Sequence, residues 1–159
     1  MIGDKIIILE KVDSTNKYLK NNYEQFINGT VIVAIEQTEG KGRRGRIWYS
    51  PKGGLWFSIL LKPKKSISPH FFTKLSSITI IEILKKYKVT AKIKWPNDIY
   101  VNNKKLAGIL TEGIYKNSKL IALIVGIGIN VNNEIPQELK DSAVSLSKIL
   151  KKTISISNL

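Results

Sequence analysis

Cysteine is absent from the 159-residue sequence. That removes disulfides, thiolate nucleophiles and zinc–cysteine sites together, and a cytoplasmic location is the simplest expectation. Long apolar runs are missing too. None reaches the roughly 18 residues of a membrane span, so no membrane association is expected. The opening residues, Met1 to Ser14, lack a basic leader and a small-residue cleavage site, and no secretory signal is read there. Acidic residues are scarce: 12 stand against 26 lysines and arginines, giving a formal charge of +14. Such a surplus attracts nucleic acid, phosphate-bearing ligands or acidic protein surfaces. A Lys-, Ile- and Asn-rich composition imposed on a solvated surface accounts for most of the lysines equally well. What is plentiful is apolar. The hydrophobic fraction is 43%, enough for one sizeable core in a chain that fits a single domain.

The apolar pattern predicts a strand over Lys5 to Val12, then a helix capped at Asp13-Ser14. Tyr18, Leu19, Tyr23, Phe26 and Ile27 recur at helical spacing, and Asn28-Gly29 ends that helix. Thr30 to Glu36 and Leu55 to Leu61 read as strands, separated by a long polar, glycine-rich loop over Gln37 to Gly54. A loop of that length in a small domain is functional or disordered. Pro63 to Pro69 reads as a connector. His70 to Tyr87 is apolar enough to predict a buried helix. Ala91 to Trp95 is a brief strand halted by Pro96. Asn102-Asn103-Lys104 predicts a hairpin, because asparagine tolerates positive φ. Leu106 to Ile114 and Leu120 to Ile129 are two further strands, and Ala143 to Lys151 opens a last helix. The expected class is α+β, with a mixed, largely antiparallel sheet and helices packed on one face.

Residues 40–46 read Gly-Lys-Gly-Arg-Arg-Gly-Arg. Gly40, Gly42 and Gly45 satisfy the dinucleotide fingerprint in form only. The motif must open a helix and meet an acid about 20 residues on, whereas here Trp48-Tyr49-Ser50-Pro51 follows. No Lys-Ser/Thr pair follows the last glycine, so a Walker A loop is excluded as well. Glycines still let backbone N–H groups approach an anion, and arginines add bidentate charge-assisted bonds. Lys41, Arg43, Arg44 and Arg46 repel one another in the empty protein, so mobility until a polyanion arrives is expected. An exposed basic loop and a nucleic-acid contact are the competing readings.

Lys94-Trp95-Pro96-Asn97-Asp98 is either an ordinary turn or a site at the mouth of a hairpin. Lys105 begins the return strand, where an ammonium entering a core needs a partner. Gly126 and Gly128 leave one sheet face bare, for a flat ligand or for close packing. Asn130 ends that strand with a donor and an acceptor, suited to a purine edge or to a turn cap.

In order and spacing these segments resemble the biotin protein ligase family. The likeness covers almost the whole chain. It rests on Ser14-Thr15-Asn16, on Glu36-Gln37 through Trp48, on Lys94 to Asp98 with Lys105-Leu106-Ala107-Gly108-Ile109, and on Gly126 to Asn130. The resemblance implies the class II aminoacyl-tRNA synthetase and biotin–lipoate ligase catalytic fold. It also implies an ATP-dependent activation of biotin to biotinyl-5′-AMP, followed by transfer to a lysine of an acceptor such as a carboxylase biotin carrier domain. Ser14, Thr15, Asn16 and Gln37 would bond the ureido ring. The loop from Gly40 to Trp48 would close over biotin and the adenylate phosphate, with Gly40, Lys41 and Arg43 toward biotin and Arg43 and Arg46 as principal cations.

By the same likeness Trp48 would shield the site, and Asn97 and Asp98 would lie near the nucleotide, Asp98 favouring Mg²⁺. Lys105 would bridge the biotin carboxylate and the α-phosphate. Gly108 and Gly128 would line the site, and Asn130 would face adenine. Lys105, Arg43 and Asp98 are thus the expected catalytic residues. Lys41 stands where the family usually has arginine. Residues 1–159 are expected to form the catalytic domain alone, with no helix-turn-helix ahead of it, no DNA partner and no small β-barrel after it. A homodimer joined through a sheet edge is also admitted. A lipoate- or octanoate-type ligase, a basic nucleic-acid protein and a biotin-binding relic are the alternatives.

Overall fold

The computed structural model describes residues 1–64 and 67–159. Part of the connector read over Pro63 to Pro69, namely Lys65 and Ser66, lies outside the described residues. Strand β1 (Ile6–Val12) leads into helix α1 (Thr15–Asn22) and strand β2 (Val31–Gln37). Next come β3 (Leu55–Leu61), α2 (Pro69–Lys86), β4 (Lys92–Lys94) and β5 (Asp98–Val101). Long strands β6 (Lys104–Lys116) and β7 (Lys119–Ile129) and a short helix α3 (Leu146–Leu150) complete the set. The seven strands form one sheet in the order β1-β2-β3-β7-β6-β5-β4. Only β1 and β2 run parallel; the other neighbours are antiparallel. A parallel pair needs a crossover, and α1 supplies it.

Alternation along β7 shows where the helices sit. Leu123, Val125, Ile127 and Ile129 pack with Ile80 and Leu84 of α2. The intervening Ala122 and Ile124 pack with Leu19 of α1. Successive side chains of a strand face opposite sides, so α1 and α2 cover opposite faces of the sheet, not the one face expected. Periodicity shows which side of a helix is apolar but not which side of a sheet it meets.

Three predicted helices differ in detail. α1 stops at Asn22 and tightens into a 3₁₀ turn over Tyr23–Gln25, so Phe26 is buried while Ile27 is exposed. α2 buries only one face, through Thr73, Ser77, Ile80 and Leu84, and leaves Phe71, Leu75 and Ile78 about half exposed. The last helix begins at Leu146, not Ala143, because Ser142 to Val144 is committed elsewhere. Lys105 N–H donates to Ser142 O at 2.8 Å, and Val144 N–H donates to Lys105 O at 3.0 Å. Lys151, at φ 54°, ends it. Leu84 is fully buried between α2 and the sheet. Leu84→Ala is expected to cost about 2–5 kcal/mol by urea denaturation, the usual range for a buried leucine.

Candidate active site

At the N-terminus of α1, Ser14 caps the helix, its hydroxyl accepting from Lys17 N–H at 3.5 Å. The Lys17 ammonium, 2.7 Å from Asp13, holds the Asp13 carboxyl below its ordinary value. That pair therefore steadies the cap at neutral pH and is lost as pH falls through the lowered value. Thr15 and Asn16 follow, both buried. Thr15 N–H donates to Gln37 Oε1 at 2.9 Å, and Thr15 Oγ1 lies 2.6 Å from Ser58 Oγ. Ser58 donates to Asn16 Oδ1 at 2.6 Å. Gln37 Nε2 donates to Ser50 Oγ at 2.9 Å, and Ser50 in turn to Trp48 O at 3.0 Å. One continuous polar wall thus runs from α1 to the base of the glycine–arginine loop.

That loop folds back on itself as an arm. Gln37 bridges Ser50, Lys41 bridges Ile47, and Arg43–Gly45 forms a 3₁₀ turn at the tip. Arg44 at φ 58° and Gly45 at φ 73° make the reversal, one glycine occupying a conformation that favours it. Gly42 N–H donates to Arg46 O at 2.7 Å and Trp48 N–H to Gly40 O at 2.8 Å. The expected unstructured loop is therefore a narrow two-sided flap. Its tip reaches the facing segment, where Arg43 Nη1 donates to Asn97 Oδ1 at 3.1 Å.

Lys105 is placed by a bulge. Asp98 pairs with Gly108 and Ile99 with Ala107, but Tyr100 pairs with Lys105, so Leu106 is an extra residue in β6. Strict alternation would put Lys105 and Gly108, three apart, on opposite faces. The bulge restores them to one face. A Cβ built on Gly108 would lie 3.3 Å from Lys105 Cε. Lys105 Nζ lies 2.8 Å from Asp98 Oδ1, both half-buried. Asn97 Nδ2 donates to the same oxygen at 3.1 Å. The partner expected for a lysine entering a core strand is thus Asp98. Lys105 Nζ also stands 4.8 Å from the centroid of the Trp48 ring, within cation–π range.

Trp48 lies over the bare strip left by Gly108 and Gly128. A Cβ on Gly128 would overlap the indole nitrogen, and one on Gly108 would come within 3.2 Å of the ring. The indole N–H is buried without an acceptor among the described residues. The ring meets Trp56 edge-on, with centroids 6.3 Å apart. At Gly128 the packed object is thus an aromatic side chain, while Gly126 and Gly128 also line the cleft described next.

A cleft of about 300 Å³ gathers most of the expected residues. Ser14, Thr15, Asn16 and Gln37 line one end. Lys41, Arg43, Arg46 and Trp48 come from the flap, and Asn97, Asp98, Lys105, Gly108 and Gly128 from the sheet. Asn130 lines a second cleft of about 210 Å³, which shares Arg46, Trp48, Asp98 and Lys105 with the first. Its oxygen accepts from Asn133 Nδ2 at 3.1 Å, leaving its NH₂ to serve a ligand. Gly40 lies in neither cleft. It sits at the base of the flap, where a Cβ would collide with Trp48 O and Ser50 Oγ. Ser50, Ser58 and Glu112 were missed from sequence. Ser58 carried a signal, as a lone polar residue in the apolar strand Leu55–Leu61: such a hydroxyl must find a partner when buried. Glu112 carried none, because its partner Asn16 is 96 positions away.

The model of the Biotin/lipoate A/B protein ligase family matches residues 8–130, and the chain belongs to that family. The Bifunctional ligase/repressor BirA of Bacillus subtilis is 39% identical over 158 residues, covering 93% of this chain and 48% of the relative. Biotin protein ligase from Aquifex aeolicus, solved in complex with biotin and ATP, matches with a TM-score of 0.86 at 41% identity. That match covers 97% of this chain and 64% of that one. The Leishmania major biotin protein ligase, solved with biotinyl-5-AMP, matches with a TM-score of 0.72 at 26% identity, over 98% and 70% of the two chains. The chain thus spans about half the length of the Bacillus relative.

Proposed function

We propose that this chain joins the carboxylate of biotin to the α-phosphate of ATP and passes the biotinyl group to a lysine of an acceptor protein, such as the biotin carrier domain of a carboxylase. The observation that carries this reading is the junction of the two clefts. One has a polar end suited to the ureido ring; the other holds Asn130, suited to adenine. They meet at Lys105, Asp98 and Trp48.

In the first step a carboxylate oxygen of biotin attacks the α-phosphorus and pyrophosphate leaves. Two anions must approach, so positive charge fixed in advance lowers the barrier. Lys105 supplies a compact ammonium on a strand, while Arg43 and Arg46 bring guanidinium forks from the flap. The flap also excludes water from a mixed anhydride prone to hydrolysis. In the second step the acceptor amine attacks the biotinyl carbonyl and AMP leaves with the bonding electrons. Asp98 is the one carboxylate lining either cleft among the described residues, which supports it as the acceptor of the amine proton. Among the described residues no three His, Cys, Asp or Glu side chains cluster as a metal site. Asp98 would hold a Mg²⁺ ion together with the phosphates of ATP, and the ion would offset phosphate charge there.

Residues 1–159 serve in this reading as the catalytic unit. A cysteine-free chain suits a reducing cytoplasm, and among the described residues no helix is long and apolar enough to cross a membrane. Edge strand β1 exposes Ile6 and Ile8, which suits a sheet-edge homodimer. The test is exchange of labelled pyrophosphate into ATP. Exchange is expected with biotin and not with lipoate or octanoate. No biotin-dependent exchange, where a full-length ligase exchanges, would remove the activity. Exchange with lipoate instead would move the chain to the other branch of its family.

A further inference from the structure

Asn133 takes no part in the steps above and lies outside the second cleft, yet it is buried against Asn130. The backbone of Asn130 is fixed without it. Asn130 N–H donates to Leu106 O at 2.9 Å, and Asn130 O accepts from Leu146 N–H at 3.0 Å. The side-chain amide is not so fixed. Among the described residues its one hydrogen bond comes from Asn133, whose Nδ2 lies 3.1 Å from Asn130 Oδ1. Two backbone groups decide which way the Asn133 amide points. Val131 N–H can only donate, and it meets Asn133 Oδ1 at 3.0 Å. Glu134 O can only accept, and it meets Asn133 Nδ2 at 3.3 Å. Turning the Asn133 amide over would set donor against donor and acceptor against acceptor.

An NH₂ group therefore faces Asn130, and the Asn130 atom that meets it must be the oxygen. The Asn130 NH₂ has no partner among the described residues, and it belongs to the one side-chain amide lining the second cleft. Asn133 is itself anchored through its neighbour. Asn132 N–H donates to Gly53 O at 2.7 Å. The Asn132 amide clamps Ile154 from both sides, donating to its carbonyl at 2.8 Å and accepting from its N–H at 2.9 Å. The pin on Asn130 thus stands on a turn held at both ends.

We infer that Asn133 is a positioning residue for the nucleotide: it holds the Asn130 amide with the oxygen inward and the NH₂ free for the cleft, which then receives a purine through one of its lone-pair ring nitrogens. An unpinned amide would offer oxygen as readily as NH₂. A ring nitrogen of adenine only accepts, so an oxygen turned toward it strands two buried acceptors. Ile135, Pro136, Leu139 and Ala143 give the same cleft apolar walls, which supply no substitute donor from their side chains. This role rests on the ATP reading proposed above.

Asn133→Asp keeps the bond from Val131 N–H but has no N–H of its own. The Asn130 amide must then turn its NH₂ toward the new carboxylate and its oxygen toward the base. KM for ATP in pyrophosphate exchange is expected to rise roughly tenfold, the scale of one mismatched buried hydrogen bond, with biotin affinity by calorimetry unchanged. Asn133→Leu removes the pin without reversing it, and an amide free to take two orientations is expected to raise KM for ATP roughly twofold. A merely structural contact predicts the opposite order, because leucine abandons Val131 N–H and aspartate keeps it. ATP analogues with N1, N3 or N7 replaced by C–H supply the second readout. One of them is expected to lose roughly tenfold in the wild type and to lose little further in Asn133→Asp, since the bond it lacks is already gone. Losses that multiply, as independent effects do, would overturn the role. So would an analogue series without any loss in the wild type, or a leucine effect as large as that of aspartate. If aspartate prevents folding, leucine alone decides, and a wild-type KM for ATP in that variant overturns the role. A wild-type protein without biotin-dependent exchange would instead bring down the function, and this role with it.

Discussion

Lys105→Ala is expected to lower biotin-dependent pyrophosphate exchange by roughly a thousandfold, the scale of removing one preorganised charge stabiliser from an active site. Three features of the structure set that size. The ammonium lines both clefts, so its loss acts where the two anions meet. It is held by Asp98 at 2.8 Å and by the Trp48 face at 4.8 Å, so its position is fixed before any ligand arrives. The bulge at Leu106 leaves no other lysine of β6 aimed at this point. Arginine is expected to rescue poorly, because a planar fork on a longer arm does not reproduce a compact ammonium. The removal also leaves the half-buried Asp98 carboxylate without its cation, which weakens anion binding by repulsion alone. The double variant Lys105→Ala/Asp98→Asn separates the two causes. Measured against Asp98→Asn alone, repulsion as the main cause predicts little further loss in the double variant, whereas loss of a catalytic cation predicts the full loss. A double variant within tenfold of Asp98→Asn would remove Lys105 from the chemistry.

How far the site was legible from sequence depends on the range of the interaction. Leu55 to Leu61 is legible to the residue, because a short apolar run with two aromatics is a local property. The Asn102-Asn103 turn was legible for the same reason: both residues take positive φ, 48° and 62°. The meeting of Lys105 with Asp98 followed from the hairpin. What escaped were pairings between distant segments. The bulge that turns Lys105 toward Gly108 depends on how β5 meets β6. The two-faced arrangement of α1 and α2 depends on crossover geometry. Ala143 and Val144 fall inside the helix expected over Ala143 to Lys151 but are claimed by the backbone of Lys105. At Gly40 the sequence carries no sign of the close return of Trp48 O and Ser50 Oγ that leaves no room for a Cβ. Asn130 was correctly set apart as a polar end-stop, but only the folded sheet shows that it serves a second cleft.

Gly128→Ala is expected to reduce kcat/KM for adenylate formation by about a hundredfold while leaving the fold intact. The added methyl would overlap the indole nitrogen of Trp48. Gly128 is paired on both sides, with Trp56 of β3 and Gly108 of β6, so the strand cannot yield and the indole must. Trp48 is tethered at its backbone by Gly40 and Ser50. Its side chain therefore has one way to go, outward from the glycine strip. That movement removes the wall shared by the two clefts and the aromatic face beneath Lys105, so both cation placement and water exclusion suffer. The stability cost is expected to be about 1–3 kcal/mol, the usual cost of overpacking, measurable by urea denaturation. Displacement itself is visible as a change in tryptophan fluorescence and in quenching by iodide, because Trp48 would become accessible. Trp48→Ala in the Gly128→Ala background is the internal control. If the loss arises from a displaced indole, removing the indole should change the rate little further. If the double variant falls another hundredfold, the methyl acts on the ligand directly and the indole is not the packed object that matters.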